Sequence, residues 1–466
     1  MNFLKKYNEE ITSILLLFGL FLYALGLHDK KGTPSPQIFF YLGGIIFFIY
    51  NRKYFSLKED FKNLLIPLIC MLILILLGIT TIFDTTMPPK TLNLLKDIRS
   101  HIFNYFILLF IFYFFIKYIR SKFLFYFFIF FGFLFLLNTL SMVFLGFKNG
   151  LYHVSFHQNI PFFFKAIFTY NIWIITPIAA ALSGLFIFKK LGRILFFILF
   201  LFALFALFAN GERSFFVALL AIIIGAFIFC KYKYKIQILL VLFLLSFPAS
   251  YAIYDYSKNL PQRYNVSNMI DNFLVVALTP VVEMGKYDEF CFNGTLNCNY
   301  ESIKEGKSPI TWEHSSLARI AMSKSTFLAF LDNPFRATTM NTFGIGEYLY
   351  KYYEENDSKN KGYASLEKDM NLYIHPHNFM VSLLFSYGIF GFSAIAFLFI
   401  NIMQKAYYLY LMHSNIYIRF IALSLFLCFI GILFQSLFDA IYPVILRMLF
   451  VLFGIIFGLY YRRSDI

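Results

Sequence analysis

Long uninterrupted apolar runs recur along the chain, and they constrain its fold more than any other feature. A run of about 18 to 25 such residues is the length at which a helix crosses the hydrocarbon core of a bilayer. Twelve segments fit this reading to within a few residues: 11–27, 36–50, 63–83, 100–117, 123–146, 166–188, 193–209, 213–230, 236–253, 377–400, 416–438 and 441–461. The second of them is the shortest. With 60% hydrophobic and only 14% charged residues, the chain cannot cover a water-facing surface. An outer-membrane barrel would alternate apolar and polar positions, and these runs do not. The expectation is an all-α polytopic membrane protein of about twelve spans. The first run follows Lys5 and Lys6 like a secretory signal, but no small-residue cleavage site follows it. It reads as an uncleaved first span.

Lysine and arginine set the orientation. With the N-terminus in the cytoplasm, the inner segments hold 19 basic residues and the short outer loops hold 8. Both termini are then cytoplasmic. The net charge of +15 is spread over many short loops, so it is a topology signal and gives no support for nucleic-acid binding. Three regions follow: 1–253 with spans one to nine, a large outer loop over 254–376, and 377–466 with the last three spans. The loop contains 15 of the 25 acidic residues against 12 basic ones, which sets it apart from the basic remainder. Loops of this length are commonly binding elements or lids. Within it, Cys291 and Cys298 can form a small disulfide in an oxidising compartment or remain two thiols. Cys70, Cys230 and Cys428 fall in or at the ends of spans and read as packing residues.

Three polar elements gather on the outer face. In "NGERSFFVAL" (210–219), Arg213 opens a span just after a turn. A helix N-terminus carries unpaired N–H groups and the positive end of the dipole, so an arginine there makes an anion site, or snorkels to headgroups. Residues 315–335 form an amphipathic helix in which Leu317, Ile320, Ala321, Phe327, Leu328 and Leu331 share one stripe. The expectation is that this stripe packs, which leaves Arg319 to face a ligand or solvent. In "NLYIHPHNFMVSLLFSYGIFGF" (371–392), His377 and Asn378 open the tenth span, and Gly388 and Gly391 lie inside it. Histidine exchanges protons near neutral pH, so His377 is a candidate base; an interface cap is the other reading. His375 and His377 have no third ligand at metal-binding spacing. Asp439 lies at the outer turn before the last span, and Arg447 about 9 Å along it, at 1.5 Å per residue. They could pair with each other, or Arg447 could hold an anionic lipid head.

In this order the elements resemble the O-antigen ligase (WaaL) and O-antigen polymerase superfamily. The ligase pattern is a histidine, then Asn, Ser or Gln, nine residues, and G-x-x-G. Here it reads His377, Asn378, "FMVSLLFSY", Gly388, "IF", Gly391. Arg213 matches the family arginine that opens a span. Arg319, Pro334 and Gly344–Ile345–Gly346 follow the order of the family's large loop. The "FRATTMNTF" stretch after Pro334 is an insertion relative to that pattern.

The resemblance implies a GT-C-like glycosyltransferase of the bacterial inner membrane, with the large loop in the periplasm. It would move a glycan from undecaprenyl diphosphate to a sugar hydroxyl of lipid A–core, with no metal or other cofactor. It further implies His377 as base, Arg213 and Arg319 on the diphosphate, and inversion at the anomeric carbon. Asn378, Asp439 and Arg447 would support the site. A polymerase or a protein O-oligosaccharyltransferase of the same superfamily would share the donor and differ in acceptor. A transporter or flippase would show internal repeats and broken helices near mid-membrane. The chain has no repeat, and its polar candidates gather at one face.

Overall fold

The computed structural model describes residues 5–24, 36–81, 94–149, 171–210, 212–232, 235–259, 266–267, 270, 314–342, 345–346, 348–349, 376–441 and 443–462. Among them the chain is helical and contains no strand. The helices are α1 (Asn8–Ala24), α2 (Pro36–Asn51), α3 (Leu57–Asn63), α4 (Leu65–Thr80), α5 (Leu94–Ile98), α6 (Asn104–Tyr118), α7 (Ser121–Asn149) and α8 (Asn171–Ile187). Then follow α9 (Leu191–Asn210), α10 (Arg213–Phe229), α11 (Lys235–Ser257), α12 (His314–Asp332), α13 (Phe379–Met412), α14 (Ile416–Gln435) and α15 (Pro443–Tyr460). A helix stands in each of the twelve apolar segments.

Five helical stretches among the described residues are long and apolar enough to cross a bilayer: Leu95–Tyr118, Ser121–Lys148, Leu191–Asn210, Phe379–Met412 and Ile416–Gln435. The pair α3 and α4, bent by 65°, adds a sixth if taken as one span. Shorter apolar helices coincide with α8, α10 and α15. The protein is a multi-pass helical membrane protein.

Its long apolar helices are apolar all round, so packing rather than amphipathicity decides their neighbours. α15 lies along α6, where the Gly454 and Gly458 positions, one turn apart, bring it onto the α6 backbone at Leu109 and Tyr113. α14 packs on α8, α10 and α13, and α13 also rests on α4 and α12. At the end of α6 and α15 away from the α14–α15 turn, a buried ionic knot ties α3 to α6. Lys117 Nζ donates to Asp60 Oδ1 at 2.7 Å and to Glu59 Oε1 at 3.1 Å. Tyr113 and Tyr118 donate to the two Asp60 oxygens, each at 2.7 Å. Arg462 Nη1 donates to the Ile116 carbonyl at 2.7 Å and so fastens α15 to the same end.

One expected span is not continuous. α13 is interrupted at Gly388, where φ is +65° and ψ −174°. A break inside a membrane frees backbone groups that must find other partners. The stretch after Pro334 supplies them. Ile389 N–H donates to the Pro334 carbonyl at 2.8 Å, and Thr338 N–H donates to the Ser386 carbonyl at 2.9 Å. The Tyr387 hydroxyl donates to the Met340 carbonyl at 2.8 Å. The "FRATTMNTF" insertion is therefore the backbone complement of the break.

Candidate functional site

The chain turns sharply where α13 begins. His377 adopts φ +49°, in the left-handed region that non-glycine residues seldom enter. Its neighbours hold it there. Asn378 caps α13, its Oδ1 accepting from Val381 N–H at 3.1 Å. Phe379 N–H is shared between the carbonyls of Ser436 (2.8 Å) and Asp439 (3.2 Å) in the turn between α14 and α15. Ser323 of α12 donates to the Pro376 carbonyl at 2.7 Å. Asn378 thus serves the backbone.

His377 Nδ1 lies 3.4 Å from Asp439 Oδ1, with the two side chains 13% and 3% exposed. Asp439 Oδ1 also accepts from Ala440 N–H at 2.8 Å, and its Oδ2 from the Ser214 hydroxyl at 3.4 Å. Gln435 donates to Ser214 Oγ at 3.2 Å. A buried carboxylate facing Nδ1 favours the tautomer protonated there, which makes Nε2 the proton acceptor. Ser214 ties this pair to α10 and so to its neighbour Arg213.

Arg319 enters from α12. Its Nη1 stands 3.6 Å from Oε1 of Glu212, the residue before Arg213. Glu212 is 7% exposed at its side chain, Arg319 25%. The C-terminal half of the expected stripe of α12 does not pack on the protein. Met322, Ser325, Thr326, Ala329 and Phe330 are buried, whereas Phe327, Leu328 and Leu331 are exposed. The side formed by Met322, Ser325, Thr326, Ala329 and Phe330 packs on the protein and carries Arg319 inward with it.

The structure therefore brings Arg213, Arg319, His377, Asn378 and Asp439 to one end of the bundle. It does not pair Asp439 with Arg447, as the sequence allowed. Asp439 takes His377 and Ser214 instead. Arg447 Nε and Nη1 lie 2.9 and 3.0 Å from the Gln37 side-chain oxygen on α2, with the amide oriented to accept them. Both motif glycines are points of close approach, and Gly391 also lies against Leu77 of α4, where a Cβ would stand 3.1 Å from Leu77 Cδ1. A Cβ at Gly388 would stand 3.0 Å from the carbonyl oxygens of Pro334 and Arg336, so that glycine receives loop backbone. A Cβ at Gly391 would collide with Cβ of Tyr387 across the break. The G-x-x-G spacing is the geometry of the interruption itself. Cys291, Cys298, His375 and Gly344 lie outside the described residues; Cys70, Cys230 and Cys428 are buried free thiols. Among the described residues no group of three His, Cys, Asp or Glu could hold a metal ion.

Directly beside the site an apolar cavity of about 280 Å³ opens between α4, α6, α13, α14 and α15. Phe379, Ser436 and Ile441 line its upper end, and Leu74, Leu383 and Phe453 line its depth. Sequence reasoning missed Glu212 and Ser214, although both stand in the "NGERS" stretch it singled out. Nothing local marked them, because their partners lie on other helices.

Fold and site together define a multi-pass helical membrane protein with a polar, arginine- and histidine-bearing site next to an apolar cavity. Residues 197–396 match the protein-family model described as O-antigen ligase. Over that stretch the chain is similar to the family its histidine-to-glycine motif resembles. The match contains Arg213, Arg319, His377, Gly388 and Gly391 and ends before Asp439. Curated proteins give no match.

Proposed function

We propose that this protein is an O-antigen ligase. It transfers an oligo- or polysaccharide from undecaprenyl diphosphate to a sugar hydroxyl of lipid A–core on the periplasmic side of the bacterial inner membrane. The observation that carries this reading is the meeting of α10, α12 and the α13 entry, with His377 backed by Asp439 and an apolar cavity beginning at the neighbouring Phe379 and Ser436. In this reading the chain has twelve spans in a GT-C-like arrangement, both termini are cytoplasmic, and 254–376 is the periplasmic loop. α12 lies along the membrane surface with Phe327, Leu328 and Leu331 toward lipid.

The chemistry follows from the groups present. Nε2 of His377 takes the proton of the acceptor hydroxyl, and that oxygen attacks the anomeric carbon. The bond from this carbon to the diphosphate oxygen breaks on the opposite face, so configuration inverts. Charge grows on the leaving diphosphate, and the Arg213 and Arg319 guanidiniums stabilise it there. The cavity accepts part of the polyprenyl chain. No step calls for a metal ion or other cofactor.

A polymerase or a protein O-oligosaccharyltransferase would use the same donor with another acceptor. Lipopolysaccharide from cells lacking the protein separates these readings. Loss of a ligase leaves bare core and polymer retained on undecaprenyl diphosphate. Loss of a polymerase leaves core bearing one repeat unit, and loss of a protein-glycosylating enzyme leaves the lipopolysaccharide unchanged. The broken α13 is a feature transporters share, so the purified protein in vesicles is the second test. Movement of lipid-linked glycan across the bilayer without a transfer product would overturn the enzyme reading.

A further inference from the structure

At the end of α9 stands a hydrogen-bond donor that has no acceptor among the described residues. Asn210, the last residue of α9, is 5% exposed. Its Oδ1 accepts from Glu212 N–H at 3.2 Å, which folds the amide back over the turn. Its Nδ2 is buried and has no hydrogen-bond partner among the described residues. Buried polar groups are almost always paired, and an unpaired one is expensive to keep. The same turn begins α10, whose N-cap residue Glu212 makes no side-chain capping bond. The first-turn N–H groups and the positive end of the α10 dipole thus stand beside the orphaned amide. Arg213 belongs to that turn, and Arg319 reaches it at Glu212. At 3.6 Å the Arg319–Glu212 contact orients the guanidinium at a distance longer than a hydrogen bond.

We propose that Asn210 is a donor-binding residue: its Nδ2 donates a hydrogen bond to a phosphate oxygen of the lipid-linked donor, alongside Arg213 and Arg319. The two carboxylates at this turn already face donors, Glu212 facing Arg319 and Asp439 facing His377 and Ser214; the Asn210 amide is a donor, and an anion is the ligand it would share with the arginines. A neutral amide adds a directed bond without adding charge to a site that already has two guanidiniums. This inference rests on the diphosphate reading above and adds to it a residue that no motif marks.

The test uses the full-length protein in lipid nanodiscs and equilibrium binding of glycan-free undecaprenyl diphosphate. Asn210→Asp is the sharpest variant, because it retains an acceptor for Glu212 N–H and replaces only the unpaired donor with a repelling oxygen. Asn210→Ala removes the donor without charge, and thermal unfolding of each variant checks the fold. Asn210→Ser, which also retains an acceptor, replaces the aspartate variant if that one does not fold. The expected result is binding weakened about tenfold or more in Asn210→Ala, the effect of one hydrogen bond to a charged group, and weakened further in Asn210→Asp. Wild-type binding in both, with weakened binding in Arg213→Gln, overturns the role of Asn210 and leaves the diphosphate reading standing. Wild-type binding in the asparagine variants, Arg213→Gln and Arg319→Gln alike overturns both. A loss confined to glycan-bearing donor assigns Asn210 to the sugar and overturns the phosphate contact.

Discussion

His377 sits in a backbone conformation that disfavours it. A non-glycine residue at positive φ carries a penalty of about 1–3 kcal/mol and persists only where its surroundings enforce it. Here the enforcement is the Asn378 cap, the shared Phe379 N–H and the Ser323 bond to Pro376. The conformation aims Nδ1 at Asp439. Replacement by asparagine, which tolerates this region, separates chemistry from folding. His377→Asn should lower the single-turnover transfer rate by about 10²- to 10⁴-fold, the usual contribution of a general base, with donor binding retained. Full activity in this variant would remove the base role. Asp439→Asn preserves shape and removes the charge that favours protonation at Nδ1. Its turnover should fall at least about tenfold, or about 1.4 kcal/mol in the barrier, with donor affinity unchanged. The candidates His377, Arg213 and Arg319 were legible as local signatures. The partnership of His377 with Asp439 was not, because 62 residues separate them and two turns must meet to form it.

At the scale of the element, α13 shows why the two glycines are spaced as they are. Gly388 lets the helix break and receive the loop after Pro334, and Gly391 clears Tyr387 on the far side. Gly388→Ala forces a side chain to positive φ and presses it against backbone. It should cost about 2 kcal/mol or more, read as a lower melting temperature together with reduced transfer. The apolar run of residues 377–400 gave no sign of the break, since hydropathy counts side chains and the interruption is a backbone event. α12 misled for a related reason. Its apolar stripe is real, but a bilayer surface competes with the protein for such a stripe, and the mixed face of Met322, Ser325, Thr326, Ala329 and Phe330 packed inward. On α6, Lys117 is 1% exposed and Asp60 2%. Lys117→Met would leave the Asp60 charge buried without its cation, and about 3–5 kcal/mol of stability should be lost. A thermal or denaturant melt of the purified protein measures it, and a wild-type melt would show that the knot is not holding α3 to α6.

For the whole molecule, the bundle separates its polar clusters by about the length of α15, 18 residues or roughly 27 Å at 1.5 Å per residue. The ionic knot of Lys117 and Asp60 lies at one end, and the Arg213–Arg319–His377 group at the other. In the proposed topology, which rests on the basic residues of the inner segments, the knot faces the cytoplasm and the site lies outside. With Cys291 and Cys298 replaced by serine, a cysteine introduced at Asn356 in the large loop should react with a membrane-impermeant maleimide in intact spheroplasts, and one at Lys189 only after lysis. The opposite pattern would invert the topology and remove the site from the periplasmic face. The sequence alone determined that the chain enters a membrane as helices, because no other structure satisfies the backbone of so many long apolar runs. It also determined which arginines and which histidine to examine, because their signatures are local in the chain. Tertiary structure alone decided which carboxylate faces the histidine, which side of α12 meets the protein, and where α13 gives up its helix. Those outcomes depend on contacts between residues far apart in sequence, and neither periodicity nor spacing encodes them.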